Sequence, residues 1–161
     1  MSSQKTAIYR RTLAKNRKAL HDFSILETIE MGISLKGSEV KPMRTGKINL
    51  SGSYAFINLK REVFVRGMHI GPYDQASYMG HESIYDRKLL AKKKEIAKIA
   101  TKLKKGGLTL IPLEVYVKNR WIKMAVGLAR GKRKADQRED IKKRDTEREM
   151  NRYRKKDQNK S

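Results

Sequence analysis

The stretch from Leu35 to Lys47 holds the side chains best placed to do chemistry. Lys41, Arg44 and Lys47 are gathered in one compact turn bounded by Gly37 and Gly46. Cations at this spacing replace the condensed counterions of a phosphate backbone, so the chemistry they offer is polyanion binding. Other constellations are thin. His21, His69 and His81 are far apart and lack metal-ligand spacing, so each reads as an ordinary surface or strand histidine. Glu27 and Glu30 fall on opposite faces of one strand and cannot work as a carboxylate pair. No glycine-rich phosphate loop, Ser/His/Asp set or nucleotide fingerprint appears. With no cysteine there is no disulfide, thiolate zinc site or cysteine nucleophile.

The elements that must position the basic turn are legible from periodicity. Before it, Ile25, Ile29, Met31, Ile33 and Leu35 share one parity, the pattern of a strand with one face in a core. Ser38 suits the N-cap of a single helical turn, Glu39 its positive end, and Pro42 keeps that helix short. A hairpin follows, Ser53 to Leu59 and Val63 to Ile70 around Lys60-Arg61-Glu62. Gly71-Pro72 breaks it, and Gln75 to Asp86 reads as an exposed loop. Arg87 to Lys104 predicts a long amphipathic helix stopped by Gly106-Gly107. Leu108 to Lys118 and Trp121 to Arg130 form a last strand pair around Asn119-Arg120. Thr109, Ile111, Leu113, Val115 and Val117 share a parity in the first strand, and Ile122, Met124, Val126 and Leu128 in the second. Opposite these lie Ala125, Gly127 and Ala129, small enough for a nucleic acid or another backbone to approach closely. Sheet packing explains them equally well. Met1 to Lys5 reads as a frayed start, and the basic stretch after it as a short helix or ordered arm.

The charge is one-sided. The 161 residues carry 39 Lys+Arg against 17 Asp+Glu, a formal +22. Such an excess points to a polyanionic partner. No apolar run reaches membrane-span length and no secretory h-region opens the chain, so a cytoplasmic protein is expected. Beyond Arg130 the composition changes: residues 131–161 hold 13 basic and 7 acidic residues and almost no apolar ones. A segment so poor in apolar surface is expected to be disordered when free. Its i,i+4 pairs Glu139/Lys143 and Asp140/Arg144 prepare it to become a helix on a partner. Two parts follow: a body over residues 1–130 and a basic tail over 131–161. Periodicity alone supports a mainly β body with inserted helices around one core.

Several motifs stand together in order: Asn16-Arg17-Lys18-Ala19, Gly37-Ser38-Glu39-Val40-Lys41, Arg44-Thr45-Gly46-Lys47, Asn49, Ser53-Tyr54, Lys118-Asn119-Arg120-Trp121-Ile122-Lys123, Gly127-Leu128-Ala129-Arg130-Gly131-Lys132 and Asp136-Gln137-Arg138. In combination they resemble the small protein B family, the bacterial partner of transfer-messenger RNA (tmRNA) in ribosome rescue. Arg87-Lys88-Leu89-Leu90 and Glu95-Ile96 fit the same pattern, while Ala91-Lys92, Ala135 and Gln137 depart from it. The resemblance implies a closed antiparallel barrel of oligonucleotide-binding type. It also implies a body that grips the tRNA-like part of tmRNA through Asn16, Arg17, Lys18, Glu30, Gly37, Glu39, Lys41, Arg44, Lys47, Lys88, Leu90, Lys92, Asn119 and Lys123. The tail, through Gly131, Lys132, Asp136, Arg138, Lys142, Lys143 and Arg144, would enter the decoding centre of the small ribosomal subunit and the empty mRNA channel. No cofactor, metal, membrane or enzymatic activity is expected, and the protein is expected to act as a monomer. A constitutive ribosomal or ribosome-assembly protein would share the charge and the barrel.

Overall fold

The computed structural model describes residues 9–72 and 82–158. Met1 to Lys5, His81 and most of the expected exposed loop lie outside the described residues. The elements run β1 (Arg10–Lys15), α1 (Arg17–Asp22), β2 (Phe23–Ile33), α2 (Gly37–Arg44), β3 (Ile48–Asn49), β4 (Tyr54–Ile57), β5 (Val63–Arg66), β6 (His69–Ile70), β7 (Arg87–Leu90), α3 (Lys93–Lys104), β8 (Thr109–Lys118), β9 (Trp121–Gly131) and α4 (Lys134–Gln158). The protein is mainly β with helices. A seven-stranded antiparallel sheet is ordered β1-β8-β4-β5-β7-β2-β9, and β8 pairs again with β9. Strands β3 and β6 form a separate pair.

Three irregularities decide which side chains meet. Register shifts fall between Thr12 and Ala14, between Ile25 and Glu27, and between Pro112 and Glu114. A bulge inserts one residue, so parity inverts across it. Ile25 therefore packs with Ile111 and Leu113 in a small cluster around Ala19 and Ala129. Ile29 and Met31, of the same sequence parity as Ile25, enter the main core with Val115, Met124, Val126 and Leu128. The single-face pattern expected for β2 and β8 is thus corrected: each strand feeds two cores.

The second cluster also settles what covers Gly127 and Ala129 of β9. A Cβ on Gly127 would lie 2.9 Å from Leu113 Cδ1 and 3.2 Å from Ile25 Cγ2. Ala129 is fully buried there. Neighbouring side chains, not a nucleic acid, occupy that face.

The expected long helix is two elements. Arg87 and Leu89 alternate inward with Lys88 and Leu90 outward, which is a strand, β7. The helix proper begins at Lys93, where Ile96 and Ile99 supply its buried face. Ser38 lies inside the first turn of α2, whose N-cap position is Lys36. The basic N-terminal stretch contributes both a strand, β1, and the short helix α1.

Candidate nucleic-acid interface

Four of the expected contact residues line one groove. Glu30, Leu90, Lys92 and Lys123 surround a space of about 630 Å³ between β2 and α3, together with Glu27, Thr28, Gly32 and Lys98. Each wall has a local cause. Leu90 points outward because Leu89 points in, and it stands 52% exposed. It reaches the groove floor because the residue opposite is Gly32, where an added Cβ would lie 3.3 Å from Leu90 Cβ. Lys92 sits at the start of α3, its backbone N–H donating to Glu95 Oε2 at 3.0 Å.

Two of the three acids of the groove, Glu30 and Glu27, are held by different partners. Glu30 accepts from the Tyr116 hydroxyl at 2.5 Å and from Lys118 Nζ at 3.1 Å. These bonds, the tyrosine's first, hold its carboxyl below the usual range. The Tyr116 hydroxyl is pushed up, by burial first and then by Glu30. Glu27 accepts from Lys98 at 3.2 Å and from Lys102, tying α3 to β2. Expected on opposite faces, both acids line this one groove, each held by its own partners. The lining sets three lysines, Lys92, Lys98 and Lys123, against three glutamates, and Lys92 and Lys123 with the exposed Leu90 are what it offers a phosphate backbone and the sugar or base beside it.

The basic turn sits on a different foundation. Lys41, Arg44 and Lys47 are exposed, and Gly37 opens α2 with no atom within 4 Å of an added Cβ. Glu39, expected to face RNA, is completely buried with Arg87. Its Oε1 accepts from Arg87 Nε at 2.9 Å and Nη2 at 2.8 Å. Its Oε2 accepts from the Tyr85 hydroxyl and the Lys36 N–H, both at 2.9 Å. Arg87 also donates to the carbonyls of Met68 at 2.7 Å and Ser83 at 3.2 Å. Burial alone would raise the Glu39 carboxyl; the guanidinium and the other donors hold it below its ordinary 4.5. A buried charge needs such satisfaction. Glu39 therefore bolts the basic turn to the strand that carries Lys88 and Leu90.

Asn16 is likewise structural. It is 4% exposed, its Nδ2 donates to the carbonyls of Leu50 and Pro112 at 3.1 and 2.9 Å, and its Oδ1 caps α1 through the Ala19 N–H. The exposed Arg17 and Lys18 ride on the helix it caps. Asn119 is the turn residue of the β8–β9 hairpin, at φ 56°, where asparagine is tolerated. Its N–H donates to the Tyr9 carbonyl at 2.7 Å. Lys88 is exposed and paired with Glu62 at 2.6 Å.

The tail is a helix in the structure rather than an unstructured segment. Residues 134–158 contain neither glycine nor proline and are rich in Lys, Arg, Glu and Gln, which are strong helix formers. Among the described residues the segment is joined to the body beside α1. Lys132 donates its N–H to the Asp22 carbonyl at 2.9 Å. Its ammonium donates to the Leu20 carbonyl at 3.2 Å and to Asp140 Oδ2 at 2.5 Å. Asp140, expected to pair with Arg144, is held by Lys132 first and sits below its usual range. Gly131 ends β9, while Asp136, Arg138, Lys142, Lys143 and Arg144 are exposed along the helix.

A mainly β body with a groove lined by lysines and glutamates, a bolted basic turn and a basic C-terminal helix defines a small protein suited to an extended polyanion such as RNA. The chain belongs to the SmpB protein family, whose model matches residues 13–156. The SsrA-binding protein of Acetivibrio thermocellus is 50% identical over 144 residues, covering 89% of this chain and 92% of that protein. The SsrA-binding protein of Macrococcus caseolyticus is 47% identical over 142 residues, covering 88% and 92%. A solved chain from the work "tmRNA-SmpB: a journey to the center of the bacterial ribosome" is similar with a TM-score of 0.63 and 41% identity, over 80% of this chain and 93% of that one. Among the described residues no helix is long and apolar enough to cross a membrane.

Proposed function

We propose that this chain binds tmRNA and works with it on the ribosome in trans-translation, as a monomeric, non-enzymatic cytoplasmic factor. The observation that carries the proposal is membership of the SmpB family together with the groove in which Glu30, Leu90, Lys92 and Lys123 converge. In this reading β8, β4, β5, β7, β2 and β9 act as a closed barrel of oligonucleotide-binding type, each strand pairing with the next and β9 returning to β8. The groove and the exposed cations Lys41, Arg44, Lys47 and Lys88 grip the tRNA-like part of tmRNA. Arg17 and Lys18 extend that grip, whereas Asn16, Glu39 and Asn119 shape it. The α4 cations Arg138, Lys142, Lys143 and Arg144, with Asp136, are assigned to the decoding centre and the mRNA channel of the small subunit.

The test separates body from tail. Truncation after Arg133 keeps β9 and the Lys132 N–H bond to Asp22 while deleting α4. The truncated protein binds tmRNA with near-normal affinity, because most of the positive charge stays with the body. Binding falls steeply with salt, at a log–log slope of about 0.7–0.9 per phosphate contact. It fails to support peptide tagging of a non-stop message in a reconstituted translation system. Normal tagging by the truncated protein would overturn the division of labour, and lost tmRNA binding would place part of the RNA grip in the tail.

A further inference from the structure

Where β8 turns into β9, three arginines from distant parts of the chain converge. Arg11 Nη2 donates to the carbonyl of Arg44 at 3.1 Å, and Arg44 Nη2 donates to the carbonyl of Arg120 at 3.2 Å. Each bond uses one donor of a guanidinium that has five, leaving most of the fork available. Among the described residues none of the three is paired with a carboxylate. The nearby acids are already engaged: Glu114 with Arg10 at 2.9 Å, and Glu30 with Lys118 at 3.1 Å. Two guanidiniums are anchored on backbone carbonyls, and the turn that supplies the second carbonyl carries the exposed Arg120, so like charges gather here as a standing site for an anion.

The aromatic side chains here are as unusual as the charge. Trp121, the only tryptophan of the chain, follows Arg120 and is 68% exposed. Tyr9, 58% exposed, lies beside the hairpin through its carbonyl bond to Asn119. An indole belongs in a core on area grounds. Exposed beside arginines, it matches the platform on which unpaired bases stack while cations hold the backbone.

We propose that this end of the sheet is a second RNA site, in which Arg11, Arg44 and Arg120 hold backbone phosphates and Trp121 stacks on an unpaired base. The proposal rests on the RNA-binding reading above and adds Arg11, Arg120 and Trp121 to it. Its ligand is single-stranded RNA, since a paired base does not offer its face. It is distinct from the groove between β2 and α3, whose lining includes none of these residues.

Because Trp121 is the only tryptophan, its fluorescence reads the site directly. Full-length protein is titrated with an unstructured ten-nucleotide oligoribonucleotide and, separately, with the tRNA-like fragment of tmRNA; end-labelled RNA anisotropy gives each affinity independently. The oligonucleotide is expected to quench most of the Trp121 emission. Arg120→Ala and Trp121→Leu each weaken its binding about tenfold, in line with the loss of one stacking or phosphate contact, and Trp121→Phe recovers most of that loss. Both variants keep the tRNA-like fragment within about twofold and unfold at the wild-type temperature, as exposed positions should. Lys92→Glu does the reverse, weakening the fragment and sparing the oligonucleotide. The proposal is overturned if emission is unchanged at saturation, if Arg120→Ala and Trp121→Leu leave oligonucleotide affinity intact, or if they weaken both RNAs equally. Failure of the wild-type protein to bind the tRNA-like fragment would instead remove the tmRNA reading, with the oligonucleotide arm still deciding the site.

Discussion

Two carboxylate–cation pairs each tie a basic element to the body, and they differ in almost everything else. Glu39 and Arg87 lie at zero exposure, joined by two bonds and further satisfied by Tyr85, Lys36, Met68 and Ser83. Lys132 and Asp140 share one bond near the surface, with side chains 15% and 35% exposed. Charge is the same on both sides of the comparison; desolvation is not. A buried pair, once formed, cannot lose one partner cheaply, so it fixes the basic turn against β7. A partly exposed pair competes with water, so its hold on α4 is the weaker of the two. The body presents its cations on a frame fixed by a buried pair, and the tail presents its own on a helix tied by a partly exposed one.

The comparison breaks most sharply at Arg87. Arg87→Met leaves Glu39 buried without its charge partner, at an expected cost of about 3–5 kcal/mol in denaturant unfolding. A loss below about 1 kcal/mol would mean water reaches the pair and would erase the contrast. Next in size is Gly127→Val. Overpacking against Leu113 and Ile25 is expected to cost about 1–3 kcal/mol with the tmRNA grip retained in the folded fraction. Weakened RNA binding at unchanged stability would show that face to be open after all.

Acid sharpens the same contrast. The Glu39 carboxyl is held below its ordinary 4.5 in the folded protein. Its contribution is therefore fully present above that value and lost as pH falls through the folded one. Wild type should lose stability on acidification below about pH 4.5, and Glu39→Gln should flatten that part of the profile. Parallel profiles for the two proteins would remove Glu39 as the source. The smallest effect belongs to Asp140→Asn, which should change unfolding by less than about 1 kcal/mol. It should nevertheless broaden the distance distribution between spin labels at Lys18→Cys and Lys142→Cys. The chain contains no cysteine of its own, so the labels report only those sites. An unchanged, narrow distribution would mean that something other than Lys132 aims α4.

Much of this was written locally. Alternation named β2, β8 and β9, the charge excess named the class of partner, and the motif order around Gly37 to Lys47 named the family, because each depends only on neighbours in sequence. The helix of the tail was also local in origin, in residues 134–158 free of glycine and proline, although low apolar content argued against order. What parity could not show was the bulges near Leu26 and Leu113, which reverse the inward face partway along a strand and send Ile25 and Ile29 to different cores. Nor could a motif say that Glu39 is buried. Its partner Arg87 is 48 positions away, and a carboxylate next to lysines in sequence looks solvated until the fold removes the water. Sequence settled which residues are cationic and which alternate; tertiary structure decided which charges face a partner and which are sealed in, because desolvation belongs to the assembled fold and not to any segment of it.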